Sequence, residues 1–144
     1  MTTIRPLKQQ DEDAWRALWA GYLTFYQAEL AQETTDRLFE SLLKGAPHFA
    51  FVAELDGRVI GFVHCLPHAS TWSPSPYCYL EDLYVDPSVR GAGAGRALIE
   101  AVYKEADSRG CSRVYWHTEN GNATARQLYD RLATLSEFVQ YRRR

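Results

Sequence analysis

The stretch VRGAGAGRALIE, Val89 to Glu100, puts glycine at positions 91, 93 and 95 and then runs directly into a helical pattern. Ahead of it stands YCYLEDLYVDP, a β-rich run that Pro87 stops. Strand, glycine turn and helix in this order aim several backbone N–H groups and the positive end of a helix dipole at one point, which suits an anion. Gly91, Ala92, Gly93, Ala94 and Gly95 form a nearly bare backbone: the glycines permit positive φ and let phosphate oxygens approach the amides, while Arg90 and Arg96 add charge. A purely structural turn would need neither three alternating glycines nor two flanking arginines.

Two phosphate-binding templates fail on these residues. The P-loop requires a lysine after its second glycine, and none follows here. The dinucleotide fingerprint G-x-G-x-x-G meets Arg96 when counted from Gly91 and Leu98 when counted from Gly93, and it belongs in a first βα unit rather than mid-chain. A third template, Q/R-x-x-G-x-G/A, is satisfied by Arg90, Gly93 and Gly95.

Outward from this segment the chain reads as a mixed sheet with helices on its faces. TIRPL is a short strand. QQDEDAWRALWAGYLTFYQAEL, Gln9 to Leu30, follows as a helix with an acidic start and an apolar face of Trp15, Leu18, Trp19, Tyr22, Leu23, Phe25 and Tyr26. A second helix is predicted over Thr34 to Lys44, stopped by Gly45 and Pro47. HFAFVAEL and RVIGFVHCL are β-rich runs joined by Asp56-Gly57, a strong hairpin signal. After the loop around Trp72, the strand 77–85, the glycine segment and its helix, SRVYWHTE (112–119) reads as a strand, ATARQLYDRLA (123–133) as a helix and LSEFVQYRR (135–143) as a last strand. The hairpin makes the sheet partly antiparallel and the helical crossovers make it partly parallel.

Composition removes several functions. The 144 residues fit one domain, and a net charge of -2 is no footprint for nucleic acid; Arg142, Arg143 and Arg144 read as a solvated tail. No apolar run approaches the ~20 residues of a membrane span, and MTTIRPLKQQDED lacks a signal-peptide pattern, so the expected location is the cytoplasm. Cys65, Cys78 and Cys111 form no disulfide framework and read as buried thiols. His64 and His68, on one face of a strand, stand ~13 Å apart, too far for a shared metal, and no metal is expected.

At Arg90, Gly93 and Gly95 the sequence resembles the GCN5-related N-acetyltransferase (GNAT) superfamily, whose coenzyme A pyrophosphate loop has this form after a V-x-P-x-x-R-G-x-G lead, here Val85 to Gly93. NATARQLY matches the family's N-x-x-A-x-x-L-Y through Asn122, Ala125, Leu128 and Tyr129. YLEDLYV, Tyr79 to Val85, looks like the strand of the spermidine/spermine and thialysine acetyltransferases, and VYWHT with FVQYRR looks like the yeast histone and polyamine enzymes. The resemblance implies a mixed α/β sheet of six to seven strands, splayed between the fourth and fifth to admit acetyl-CoA, with helices on both faces. The chain departs from the family after the last helix, where RLATLSEF replaces the usual Gly-Phe.

Acetyl transfer to an amine needs a neutral amine, a stabilised oxyanion and a proton for the departing thiolate. Glu81 and Asp82 are neighbours on a strand, so their side chains are expected on opposite faces, with only one of them lining a given cleft. By resemblance Glu81 is the base and an attractor for a cationic substrate; the competing reading is that one or both carboxylates form salt bridges, Asp82 before Glu81. Tyr129 matches the family tyrosine that protonates the thiolate, with a structural tyrosine as the competing reading. The resemblance also implies that Leu83, Tyr84 and Val85 hold the pantetheine arm and acetyl carbonyl through backbone N–H groups, and that Asn122 helps hold the cofactor. Tyr26, Glu29, Glu33 and Trp72 fall where the family shapes its acceptor cleft; Trp72 could equally plug the core edge. The expected activity is acetyl transfer to a polyamine or lysine-like amine, by a homodimer joined through the terminal strand. The alternatives are a protein lysine or N-terminal acetyltransferase and a non-catalytic acyl-CoA-binding module.

Overall fold

The computed structural model describes residues 1–89 and 91–144. Arg90, one of the two arginines of the glycine segment, lies outside the described residues. The elements run β1 (Thr2–Pro6), α1 (Glu12–Phe25), α2 (Gln32–Lys44), β2 (Phe49–Leu55), β3 (Arg58–His68), β4 (Tyr77–Val85), α3 (Ala94–Ser108), β5 (Arg113–Tyr115) and α4 (Ala123–Leu132). The five strands lie in the order β1-β2-β3-β4-β5. Neighbours are antiparallel except β4 and β5, which are parallel because α3 carries the chain back across the sheet.

Both faces of the central strands are covered, so β2 and β3 read as nearly continuous apolar runs. On one face Trp15, Leu18 and Trp19 of α1 and Phe39 and Leu42 of α2 pack on Ala50, Val52 and Phe62. On the other, Leu98, Ile99, Val102 and Ala106 of α3 pack on Ala53, Ile60, Val63, Cys65, Cys78 and Leu80. The hairpin forms at Asp56-Gly57, where both residues take positive φ (51° and 79°) and Leu55 pairs with Arg58. Gly45 in the left-handed region ends α2, its N–H donating to the Leu42 carbonyl at 3.1 Å.

Three sequence expectations are corrected. Among the described residues the sheet has five strands, not six to seven: LSEFVQYRR forms none, and Leu135, Phe138, Val139 and Tyr141 stand in solvent. An alternating run becomes a strand only beside an edge that offers hydrogen bonds, and β5 offers three residues. The strand predicted over 112–119 is for the same reason only Arg113–Tyr115, because its ladder with β4 stops at the pair Tyr79 and Tyr115. Finally, α1 ends at Phe25 rather than Leu30, since Gln27 turns to a φ of 54° and breaks the helical path.

Candidate active site

Beyond Tyr79, the edge of β4 that faces β5 carries no strand among the described residues, so Leu80–Val85 open onto a seam. Leu83 and Val85 direct their side chains to the α3 core, whereas Tyr84 runs the other way beneath α1. A Cβ at Gly21 would lie 2.7 Å from the Tyr84 hydroxyl oxygen, so glycine in α1 is what lets this tyrosine close the helix onto the strand. All three residues are thereby fixed, but only two offer an N–H to the seam: Asp86 N–H donates to the Ile60 carbonyl at 2.7 Å, so by strand alternation Tyr84 also turns its N–H to β3, correcting the expectation that it holds a ligand alongside Leu83 and Val85.

The glycine segment follows at the end of the same strand. Gly91 and Gly93 hold φ values of 86° and 74°, and nothing lies within 4 Å of a Cβ built on either. Glycine is required there by backbone angle rather than crowding, and the space outside is left for a guest. Gly93 caps α3, its carbonyl accepting from Ala97 N–H at 3.0 Å, so the first-turn amides gather at the helix's positive end. Ala92 lies exposed in this turn, while the Ala94 methyl is buried in the core, so only its backbone can face a ligand. Gly95 lies inside α3 without a positive φ, so of the three glycines only Gly91 and Gly93 use that freedom; its missing side chain leaves room toward Leu128. Arg96 is exposed, with its guanidinium 3.4 Å from Glu100.

Across the seam, Asn122 caps α4, its Oδ1 accepting from Ala125 N–H at 3.3 Å. Tyr129 stands two turns further along and meets Trp116 edge to face at 5.4 Å. Burial pushes its phenol above the usual tyrosine range, with a smaller contribution from Tyr26 of α1.

The acceptor side departs from the expected strand geometry. In the ladder between β3 and β4, His64 faces Asp82 and Cys65 faces Leu80, so Glu81 has no partner and forms a bulge. The extra residue breaks the alternation, and Glu81 and Asp82 both line one pocket of about 220 Å³, where opposite faces were expected. Its helical wall comes from α2, including Arg37 and Ser41, with His48 and His64 alongside. Glu81 has a raised pKa, first through burial and then through the neighbouring Asp82 charge. Among the described residues its side chain makes no hydrogen bond or ion pair, so the salt-bridge reading has no partner here.

Asp82 is instead fully engaged. His64 Nδ1 lies 2.9 Å from its Oδ2, and the Tyr22 hydroxyl donates to its Oδ1 at 2.8 Å. Trp15 Nε1–H donates to the other nitrogen of His64 at 3.0 Å. The sequence offers Asp82 as a carboxylate able to form a salt bridge, but not these partners for it. Trp15 and Tyr22 were visible only as core positions of α1, and nothing local announces that a bulge brings His64 opposite Asp82.

The remaining acceptor candidates are scattered. Tyr26 is partly exposed and packs on Tyr22 at 5.0 Å, at the edge of the site. Glu29 is exposed between α1 and α2, and Glu33 binds Arg37 at 3.0 Å on the surface of α2. Trp72 is 82% exposed in its loop, so it does not plug the core. Glu29, Glu33 and Trp72 are not among the residues lining the carboxylate pocket.

Residues 13–133 match the Acetyltransferase (GNAT) family. The chain is 37% identical to the D-amino-acid N-acetyltransferase HPA3 of Saccharomyces cerevisiae, covering 97% of this chain and 89% of that protein. It is 27% identical to the aminoglycoside N(6')-acetyltransferase type 1 of Salmonella typhimurium, with 98% of each covered. Among solved structures, the aminoglycoside N-acetyltransferase AAC(6')-Iy in complex with CoA has the same fold, with a TM-score of 0.86 at 24% identity over 100% of this chain and 95% of that one. A match reaching from α1 to the end of α4 takes in the seam, the glycine turn and the bulged strand together, and on that ground the chain belongs to the GNAT family of acetyltransferases.

Proposed function

We propose that the chain is an acetyl-CoA-dependent N-acetyltransferase whose acceptor is a primary amine of a small molecule, a polyamine or lysine-like amine. The observation that carries this reading is the placement of Glu81 and Asp82 in one pocket wall, on the strand whose open edge leads to the Gly91–Gly95 turn. The turn fits a pyrophosphate, with two positive-φ glycines whose missing side chains leave open space before a helix N-terminus.

Acetyl-CoA supplies an acyl thioester. Glu81, with its raised proton affinity, takes a proton from the arriving ammonium, directly or through water, and frees the lone pair that forms the C–N bond. The N–H groups of Leu83 and Val85, which alternate with the β3-paired Tyr84 and so face the open edge, receive the charge that develops on the carbonyl oxygen. As the C–S bond breaks, Tyr129 gives its proton to the thiolate; the second proton of the attacking nitrogen passes through water to restore the phenol, and Glu81 returns its own to solvent. One proton is released per acetyl group transferred. A phenol held above its usual pKa is protonated at neutral pH, as this role requires.

A second acceptor class is favoured by the helical wall of the pocket. There the Arg37 guanidinium would suit the carboxylate of an amino acid whose ammonium faces Glu81. That acceptor class is the one named for the yeast relative. The reading includes a homodimer in which the alternating, exposed 135–141 segment pairs with a second copy.

Thiol release from acetyl-CoA, measured with polyamines, lysine, D- and L-amino acids, an aminoglycoside and a lysine peptide, tests the reading. Amine-dependent release is expected, strongest with small amines, and Tyr129→Phe should lower kcat roughly 10²–10⁴-fold. Release with no amine at all, or with the peptide alone, overturns it.

A further inference from the structure

The buried cluster beneath the pocket has only one consistent proton arrangement. An indole N–H can only donate, so the 3.0 Å contact from Trp15 makes Nε2 of His64 the acceptor. The imidazole hydrogen must then lie on Nδ1, which donates to Asp82 Oδ2 at 2.9 Å. Tyr22 donates to Asp82 Oδ1 at 2.8 Å, and burial first, then the Asp82 charge, raises its hydroxyl pKa and keeps the proton in place. Both Asp82 oxygens therefore accept, and the group is a carboxylate without a proton of its own. A second proton on His64 would turn N–H against N–H at Trp15, in a site where the imidazole is 1% exposed. The pocket wall thus holds two adjacent carboxylates of opposite character, Asp82 with its oxygens claimed and Glu81 with its oxygens free.

We propose that Asp82 is a positioning residue for acetyl transfer: clamped as an anion by His64 and Tyr22, it draws the acceptor's ammonium to the strand wall and leaves Glu81 as the carboxylate that takes the proton. This rests on the acetyl-transfer reading above. The clamp explains why a bulge that puts two carboxylates in one pocket is useful: burial first, and then the fixed charge of Asp82, raises the proton affinity of Glu81, which divides the work between them. The remaining ionisable groups around Glu81 are Tyr79 on its own strand, His64 on β3, Tyr22 on α1, Arg37 on α2 and His48 before β2. Of these only Arg37 carries a permanent positive charge, and it is already paired with Glu33 at 3.0 Å on the surface.

Asp82→Asn and Tyr22→Phe separate positioning from packing. Asparagine keeps the cluster bonded, its oxygen accepting from His64 and its amide donating to the Tyr22 oxygen, but removes the charge. In Asp82→Asn the acid limb of kcat/KM is expected to move to lower pH, and KM for the amine to rise on the order of tenfold while KM for acetyl-CoA holds. In Tyr22→Phe, which unscreens the Asp82 charge, the limb should move to higher pH. The Glu81 carboxyl titration, followed by carbon NMR in ligand-free protein and assigned with Glu81→Gln, should shift in the same two directions. Unmoved midpoints in both variants overturn the proposal whatever the activity. Shifted midpoints in a wild type without amine-dependent thiol release would overturn the acetyl-transfer reading instead.

Discussion

Arg5 binds two carboxylates at once, donating to both oxygens of Asp11 at 2.8 and 2.9 Å and to Glu54 Oε1 at 2.9 Å. Asp11 also accepts from the Lys8 N–H at 2.8 Å, so β1, the turn before α1 and β2 are joined through the Arg5 guanidinium. The Arg5 hydrogen bonds hold Asp11 below its usual carboxylate range against the opposing effect of burial. A depressed folded-state pKa contributes stability that is present above the unfolded value, ~3.9, and lost as pH falls through the folded value. Asp11→Asn is therefore expected to cost about 2 kcal/mol in urea unfolding at pH 7, a difference that shrinks as the titration proceeds below pH 4. Legibility at this scale was uneven. Glu81 and Tyr129 could be read because each sits in a local pattern of residues. The bonding of Asp82 to His64 and Tyr22 beside them could not, because the register that joins strand to strand there depends on a one-residue bulge that strand alternation does not encode.

At the scale of elements, the strand, turn and helix around Gly91–Gly95 form as their sequence indicates, since proline, glycine and helical periodicity are all local signals. The terminal run was misread for the complementary reason: its alternation is real, but a strand needs an edge, and the edge is non-local. Gly93 allows the turn to be tested apart from the chemistry. Alanine there must adopt a φ near 74°, at a cost of about 1–2 kcal/mol, yet its methyl would touch nothing in the ligand-free protein. Calorimetry with coenzyme A should show Gly93→Ala losing more affinity than that strain accounts for. Gly95→Ala, in ordinary contact with Leu128 at 3.6 Å, should keep its thermal stability.

At the scale of the whole molecule, both layers and the mixed sheet follow from periodicity, whereas the size of the sheet does not. The apolar side chains of 135–141 bear on assembly: Phe138 and Tyr141 are 85% and 94% exposed, which a second copy would relieve. Light scattering should give a dimer for the full chain and a monomer, still able to bind coenzyme A, after deletion of residues 135–144; a monomeric full chain would end the dimer proposal. The seam has a further consequence, for the order in which the protein opens. Three residue pairs join β5 to β4, so amides along the 80–85 edge are expected to exchange with deuterium through small local openings rather than global unfolding. A ligand lying there acts as the absent neighbouring strand, and its arrival should slow exchange at that edge more than anywhere else in the sheet.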